Sequence, residues 1–136
     1  MSKLDGGCLC GEIRYTSNAE PGMTLVCHCS HCQKQTGTSF SIIVGVPKDS
    51  FSVTGNSLST YHDKGESGNP VDRSFCSKCG SPVFSVVAAA PDNVYIKGGT
   101  LDDRSWLKPQ LNIWCSSAQP WVEMQAGVPT FDRNPG

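Results

Sequence analysis

The sequence predicts an all-β fold. Three observations predict it. Short apolar, β-branched segments recur along the chain. Each is bounded by Gly, Pro, Asn or Ser, and helix signals are weak. In order, residues 13–16 alternate and are rich in strand formers. Residues 39–46, SFSIIVGV, are apolar and stop at Pro47. Residues 51–54 alternate and end at the turn pair Gly55-Asn56. Segments 58–61, 83–87, 94–97, 111–114 and 121–124 complete the set. Strands at this spacing suggest a sandwich, a barrel or a folded sheet. Two short helical turns are expected, at 32–36 and at 102–107 with Thr100 as cap. The polar stretch HDKGESGNP, 62–70, reads as a mobile loop, and 130–136 reads as a poorly ordered tail. No linker divides the chain, so residues 1–136 are expected to form one domain.

Charge and hydropathy exclude several function classes. Eleven basic residues balance twelve acidic ones, and the longest like-charge run is Asp102-Asp103. No basic stripe marks a nucleic-acid or anionic-membrane partner. No apolar run approaches the ~20 residues of a membrane span. The opening MSKLDGG has no hydrophobic stretch after its lysine, unlike a secretory signal. A cytoplasmic protein is expected, in a compartment where disulfides are rare.

Eight cysteines then call for another use, and metal binding is the default. They fall into groups: Cys8 and Cys10 as C-x-C; Cys27, Cys29 and Cys32 as C-x-C-x-x-C; Cys76 and Cys79 as C-x-x-C before Gly80; and Cys115 alone. On an extended segment a C-x-C aims both sulfurs to one side. A C-x-x-C-G forms a tight knuckle whose glycine permits the turn. Zinc sites commonly pair two cysteines from one segment with two from a distant one. Cys8, Cys10, Cys76 and Cys79 would make a closed four-sulfur site that staples a small β domain. Cys27, Cys29 and Cys32 would then lack one ligand, which is the zinc arrangement of catalysis. Spacing leaves open that His28 or His31 closes this second site. It also leaves open that Cys27 or Cys29 joins Cys76 and Cys79 instead. Cys115 follows an apolar strand and reads as a small buried hydrophobe.

The motifs GGCLCGEIRY, CHCSHCQKQTG, FCSKCGSPVF and GGTLDD, with a weaker QPWVEM, resemble the glutathione-dependent formaldehyde-activating enzyme family, which also contains centromere protein V. The resemblance covers about residues 6–125. It implies a β-tent of folded antiparallel sheets stapled by zinc. It also implies a structural zinc at Cys8, Cys10, Cys76 and Cys79, and a second zinc at Cys27, Cys29 and Cys32 with an open position. Two zinc ions per chain are expected, the second the more easily lost. The implied activity is carbon–sulfur lyase chemistry on a small thiol adduct, such as that of glutathione with formaldehyde. The partners are then a small thiol and a small aldehyde.

Lys34 and Arg73 are candidates to hold substrate carboxylates. Trp106, Trp114, Trp121, Phe40, Phe75 and Phe84 read as core. Asp102 and Asp103 read as a helix start. Two other functions compete, a zinc-stabilised binding module and a thiol redox protein. What separates the first from an enzyme is whether the second site is open. A nucleic-acid role, as for centromere protein V, would want a basic extension that this chain does not show.

Overall fold

The computed structural model describes residues 2–134. Its strands are β1 (Leu4–Gly7), β2 (Arg14–Ser17), β3 (Thr24–Cys27), β4 (Ser41–Pro47), β5 (Phe51–Thr54), β6 (Leu58–Lys64), β7 (Pro70–Cys76), β8 (Pro82–Val87), β9 (Asn93–Lys97) and β10 (Leu111–Ile113). The one α-helix among the described residues, α1, spans Ser30–Thr36. The all-β expectation therefore holds.

Strands β1-β2-β5 form a small sheet, and β10-β3-β4-β9-β8-β7-β6 form a seven-stranded one. The pairing is antiparallel with one departure: β10 lies parallel to β3, with Leu111 beside Leu25. Parallel neighbours need a long crossover, and the chain between Cys27 and Leu111 supplies it.

Strand alternation gives the large sheet two different faces. Val44 and Val46 on β4 and Ile96 on β9 are fully or almost fully buried against the small sheet, in one core with Leu4, Ile13, Tyr15 and Phe84. Phe51 bridges the sheets, its ring centroid 5.5 Å from Tyr15 and 4.9 Å from Phe84. The intervening residues of the same two strands, Ile43, Tyr95 and Lys97, face the other way and line a cavity. The small sheet meets the rest of the core at Tyr15. Its hydroxyl lies 2.7 Å from Thr100 Oγ1, and Gly6 leaves it room.

Several expectations are corrected. Residues 121–124 are not a strand: Val122 N–H donates to Gln119 O in a turn, Pro120 has no N–H, and Trp121 is 68% exposed rather than core. The stretch 62–70 is mostly hairpin. β6 pairs with β7 through His62↔Asp72 and Lys64↔Pro70, and only 65–69 turns. Residues 102–107 are not helical. A 3-10 turn occupies Gly98–Thr100, the Thr100 hydroxyl donates to Lys97 O, and Asp102 pairs with Arg14. The helix expected at 32–36 begins two residues earlier, because Cys29 caps it. β1, β3 and β7 were not expected as strands. Residues 130–134 are held in place: Phe131 N–H donates to Asn112 O and Trp114 N–H to Arg133 O. Residues 135–136 of the expected tail lie outside the described residues.

Candidate metal centre

The sulfurs of Cys8, Cys10, Cys76 and Cys79 lie within 4.8 Å of one another. Two knuckles bring them together. Cys8 and Cys10 sit in a turn after β1 rather than on a strand, closed by Gly11 N–H donating to Cys8 O, with Gly11 at φ 81°. Cys76 ends β7, and Gly80, also at φ 81°, donates to Cys76 O. A left-handed residue at each turn is what glycine supplies. Backbone amides aim at the sulfurs: Ile13 N–H at Cys8 Sγ (3.2 Å) and Cys79 N–H at Cys76 Sγ (3.4 Å). The Ser81 hydroxyl and amide bring the Cys79 thiol down to about 5. Such donors favour thiolates, the form that binds a metal.

Cys27, Cys29 and Cys32 form a second group, also within 4.8 Å, and all three are buried. Cys27 is the last residue of β3. Cys29 is the N-cap of α1, and its Sγ accepts from Cys32 N–H at 3.2 Å. Gln33 pins the segment by donating to His28 O and Ser117 O. Hydrogen bonds from Cys27 and then Cys29 bring the Cys32 thiol to about 2, over the opposing effect of burial, with the charges of Lys97 and Arg73 adding to the fall. Cys27 moves the other way, raised first by its hydrogen bonds with Cys29 and Cys32. Three crowded, buried sulfurs within 4.8 Å of one another suit a bound cation.

Neither histidine joins this group. His28 Nε2 donates to Asn112 Oδ1 at 3.0 Å, and His31 Nδ1 pairs with Asp63 Oδ2 at 2.8 Å. Cys115 is half-buried and outside both groups. Among the described residues the second group thus offers three sulfurs and no fourth donor of this kind. It opens onto a cavity of about 300 Å³.

The two expected carboxylate holders part company. Lys34 is exposed on α1 and does not line the cavity. Arg73 is 4% exposed and does line it, with its Nε 3.0 Å from Asp63 Oδ2 and Nη1 3.8 Å from Cys32 Sγ. Sequence reasoning missed Lys97, which is 6% exposed, lines the cavity and donates from Nζ to Ser41 Oγ at 2.8 Å. It also missed Asp63 and Ser85. A lysine ending the apolar strand NVYIK was the available signal, since a charge on a buried strand needs a partner.

With this geometry in view, the comparisons with known proteins decide the family. The model of the family described as glutathione-dependent formaldehyde-activating enzyme matches residues 3–117. The chain belongs to that family. Relatives carrying this family description include a Penicillium rubens protein, 31% identical over 121 residues, or 85% of this chain and 61% of the relative. A Halomonas elongata protein is 25% identical over 128 residues, covering 90% of this chain and 82% of the relative. The chain spans about three fifths of the length of the fungal relatives in this family. A crystal structure of a Rhodobacter sphaeroides protein shares the fold, with a TM-score of 0.60 at 19% identity over 77% of this chain and 91% of that one. No described helix is long and apolar enough to cross a membrane. The described residues of this family member include two sulfur groups, each placed so that it could hold a metal ion.

Proposed function

We propose that this chain is a zinc-dependent carbon–sulfur lyase of the cytoplasm, acting on a small thiol adduct such as S-hydroxymethylglutathione. The observation that carries the reading is the three-sulfur group, buried, without a fourth protein donor among the described residues, at the wall of a cavity. Cys8, Cys10, Cys76 and Cys79 form the structural site. Cys27, Cys29 and Cys32 form the catalytic one. All-sulfur donor sets suit zinc. When bound at the second group, zinc supplies a Lewis-acidic position that favours the thiolate form of a substrate sulfur.

The rest falls to the chain's own residues. The reaction is R–S–CH₂OH ⇌ R–SH + H₂C=O. The carbon–sulfur bond breaks with its electron pair going to sulfur, and the hydroxyl gives up its proton as the carbonyl forms. Arg73 and Lys97 set positive charge beside the three sulfurs, which offsets their negative charge in a site shielded from water. Arg73, at the cavity, is the cation that meets an acidic group of the substrate. Asp63 orients its guanidinium. Ile43, Val71 and Ile113 keep water from the sulfurs.

The test follows exchange among formaldehyde, glutathione and their adduct by NMR, with and without protein. Acceleration is expected for the two-zinc protein and for Cys115→Ser, and its loss for Cys29→Ser. Acceleration that survives in Cys29→Ser would remove the second site from the chemistry.

A further inference from the structure

The cavity wall is one face of the large sheet, and its chemistry is uneven. Three cross-strand rows build it: Leu25, Ile43 and Lys97; then Arg73, Ser85 and Tyr95; then Val71 and Val87. Ile113 and Trp114 close the far side. Most of this wall is apolar. Its cations are largely committed: Arg73 holds Asp63 and touches Cys32 Sγ, while Lys97 is tied to Ser41. The Ser85 hydroxyl is different. The residue is 5% exposed, and its Oγ is buried with no hydrogen-bond partner among the described residues. A buried hydroxyl without a partner is uncommon and costs stability unless something else satisfies it. At the mouth stands an acid, Glu66, fixed by Ser30 and Ser117.

Resting on the lyase reading, we propose that the site prefers an adduct with a compact apolar body on its sulfur and at most one acidic group, met by Arg73 and its cross-strand neighbour Ser85, over the adduct of the tripeptide glutathione. Glutathione brings two carboxylates and an ammonium. Each carboxylate that leaves water needs a cation. Among the described lining residues, the wall offers Arg73 and Lys97, both already partnered, and Glu66 at the mouth repels a second acid. An alkyl or aryl body, by contrast, gains from every apolar row it covers. The cavity's size, about 300 Å³, sits at the small end of ligand pockets, about 300–1,000 Å³.

The experiment reads binding and turnover separately. The full chain with its zinc is titrated with 2-phenylethanethiol, 3-mercaptopropionate and glutathione, following the methyl resonances of Val71, Val87 and Ile113. Breakdown of the formaldehyde adducts of the same three thiols is timed in parallel. Both small thiols should bind about tenfold tighter than glutathione, which is ~1.4 kcal/mol, and should move those methyls. Ala90→Arg adds a cation at a half-buried lining position outside the strands, and should narrow the preference to roughly threefold or less. Glutathione binding as tightly as the small thiols, binding that leaves those methyls unmoved, or a preference unchanged in Ala90→Arg would each overturn the proposal. No adduct breakdown with any thiol would sink the lyase reading, while the order of affinities would still decide the class of ligand.

Discussion

The two sulfur groups should fail differently when a ligand is removed, and the structure gives the size of the difference. Cys76 is fully buried, and its Sγ lies 3.8 Å from Cys10 Sγ and 3.1 Å from Ser57 Oγ. Cys10 and Cys76 are 66 residues apart, so their site closes a long loop that the unfolded chain leaves open. Metal bound in such sites contributes about 10–16 kcal/mol in peptides, against a total stability of about 5–15 kcal/mol for a domain. Losing one ligand of four puts a cost on the order of 3 kcal/mol on Cys76→Ser while the metal stays bound by the other three, and more once it leaves. At roughly 3–4 °C per kcal/mol, the melting temperature should fall on the order of 10 °C. Cys29→Ser is a different perturbation. Its ligands come from one short segment, and the thiol is also the N-cap of α1. Serine is a good N-cap, so the helix start survives while the second zinc is lost. Its melting temperature should stay within a few degrees of wild type. Circular dichroism melts and zinc counts by native mass spectrometry check both. A Cys76→Ser protein that melts with wild type would refute the reasoning. So would a Cys29→Ser protein that falls as far as Cys76→Ser.

Mild chelation should remove the second zinc first while the β signal in circular dichroism persists; simultaneous loss of both zincs and the fold would contradict distinct sites. Gly6→Ala should cost about 1–3 kcal/mol, since a Cβ there would lie 2.3 Å from Tyr15 Oη and 2.5 Å from Thr100 O, and an unchanged denaturation midpoint would show that this packing yields. Asp63→Asn leaves the buried Arg73 guanidinium without its carboxylate and should destabilise by about 3 kcal/mol, more than the double variant Asp63→Leu/Arg73→Met; a double variant that is worse would mean the pair is net stabilising. Glu66 is held below the ordinary carboxylate range, first by the Ser30 hydroxyl, so what it adds to the hairpin tip is complete above about pH 4.3 and is lost as pH falls through its lowered folded value. Amide exchange at residues 65–69 should rise over that window in wild type and be raised and flat in Glu66→Gln; identical profiles would place the latch elsewhere.

Much of this architecture is legible in the sequence because alternation and cysteine spacing are local signals. Segments 51–54, 83–87 and 94–97 match β5, β8 and β9 to within a residue, because each is a short run rich in strand formers that packs against a core. β7 hid because its face toward the cavity carries the charged Arg73 two residues after Val71, and because its neighbour β6 is a polar edge strand. β1, LDGG, hid because its glycines are there for close approach, with Tyr15 and Thr100 filling the space of a side chain at Gly6. Trp121 misled because an alternating pattern does not show that its strand has a neighbour to pair with. The sulfur groups were readable as sets. What Lys97 and Ser85 do was not, because it depends on cross-strand register, which brings Lys97 beside Ile43 and Ser85 beside Arg73 and Tyr95.

That register also explains why one chain keeps two sulfur groups apart. The large sheet presents Val44, Val46 and Ile96 on one face, and the four-cysteine group joins the core on that side through Cys8 and Cys76. There the cysteines come from two turns, one joining β1 to β2 in the small sheet and one joining β7 to β8 in the large one, so a bound metal would resist separation of the sheets. On the other face Ile43, Tyr95 and Lys97 front the cavity, and the three-cysteine group packs with Ile113 and Trp114. Its ligands come from a single strand end and helix cap, so changing what it binds strains no junction between sheets. A site that must exchange a ligand belongs on an element whose loss does not unfold the domain, and a site that holds the domain together belongs where every ligand is committed. The alternation of β4 and β9 separates the two groups by one residue, with Val44 and Ile96 packed in the core that holds Cys8 and Cys76 and Ile43 and Lys97 facing the cavity of the three-cysteine group.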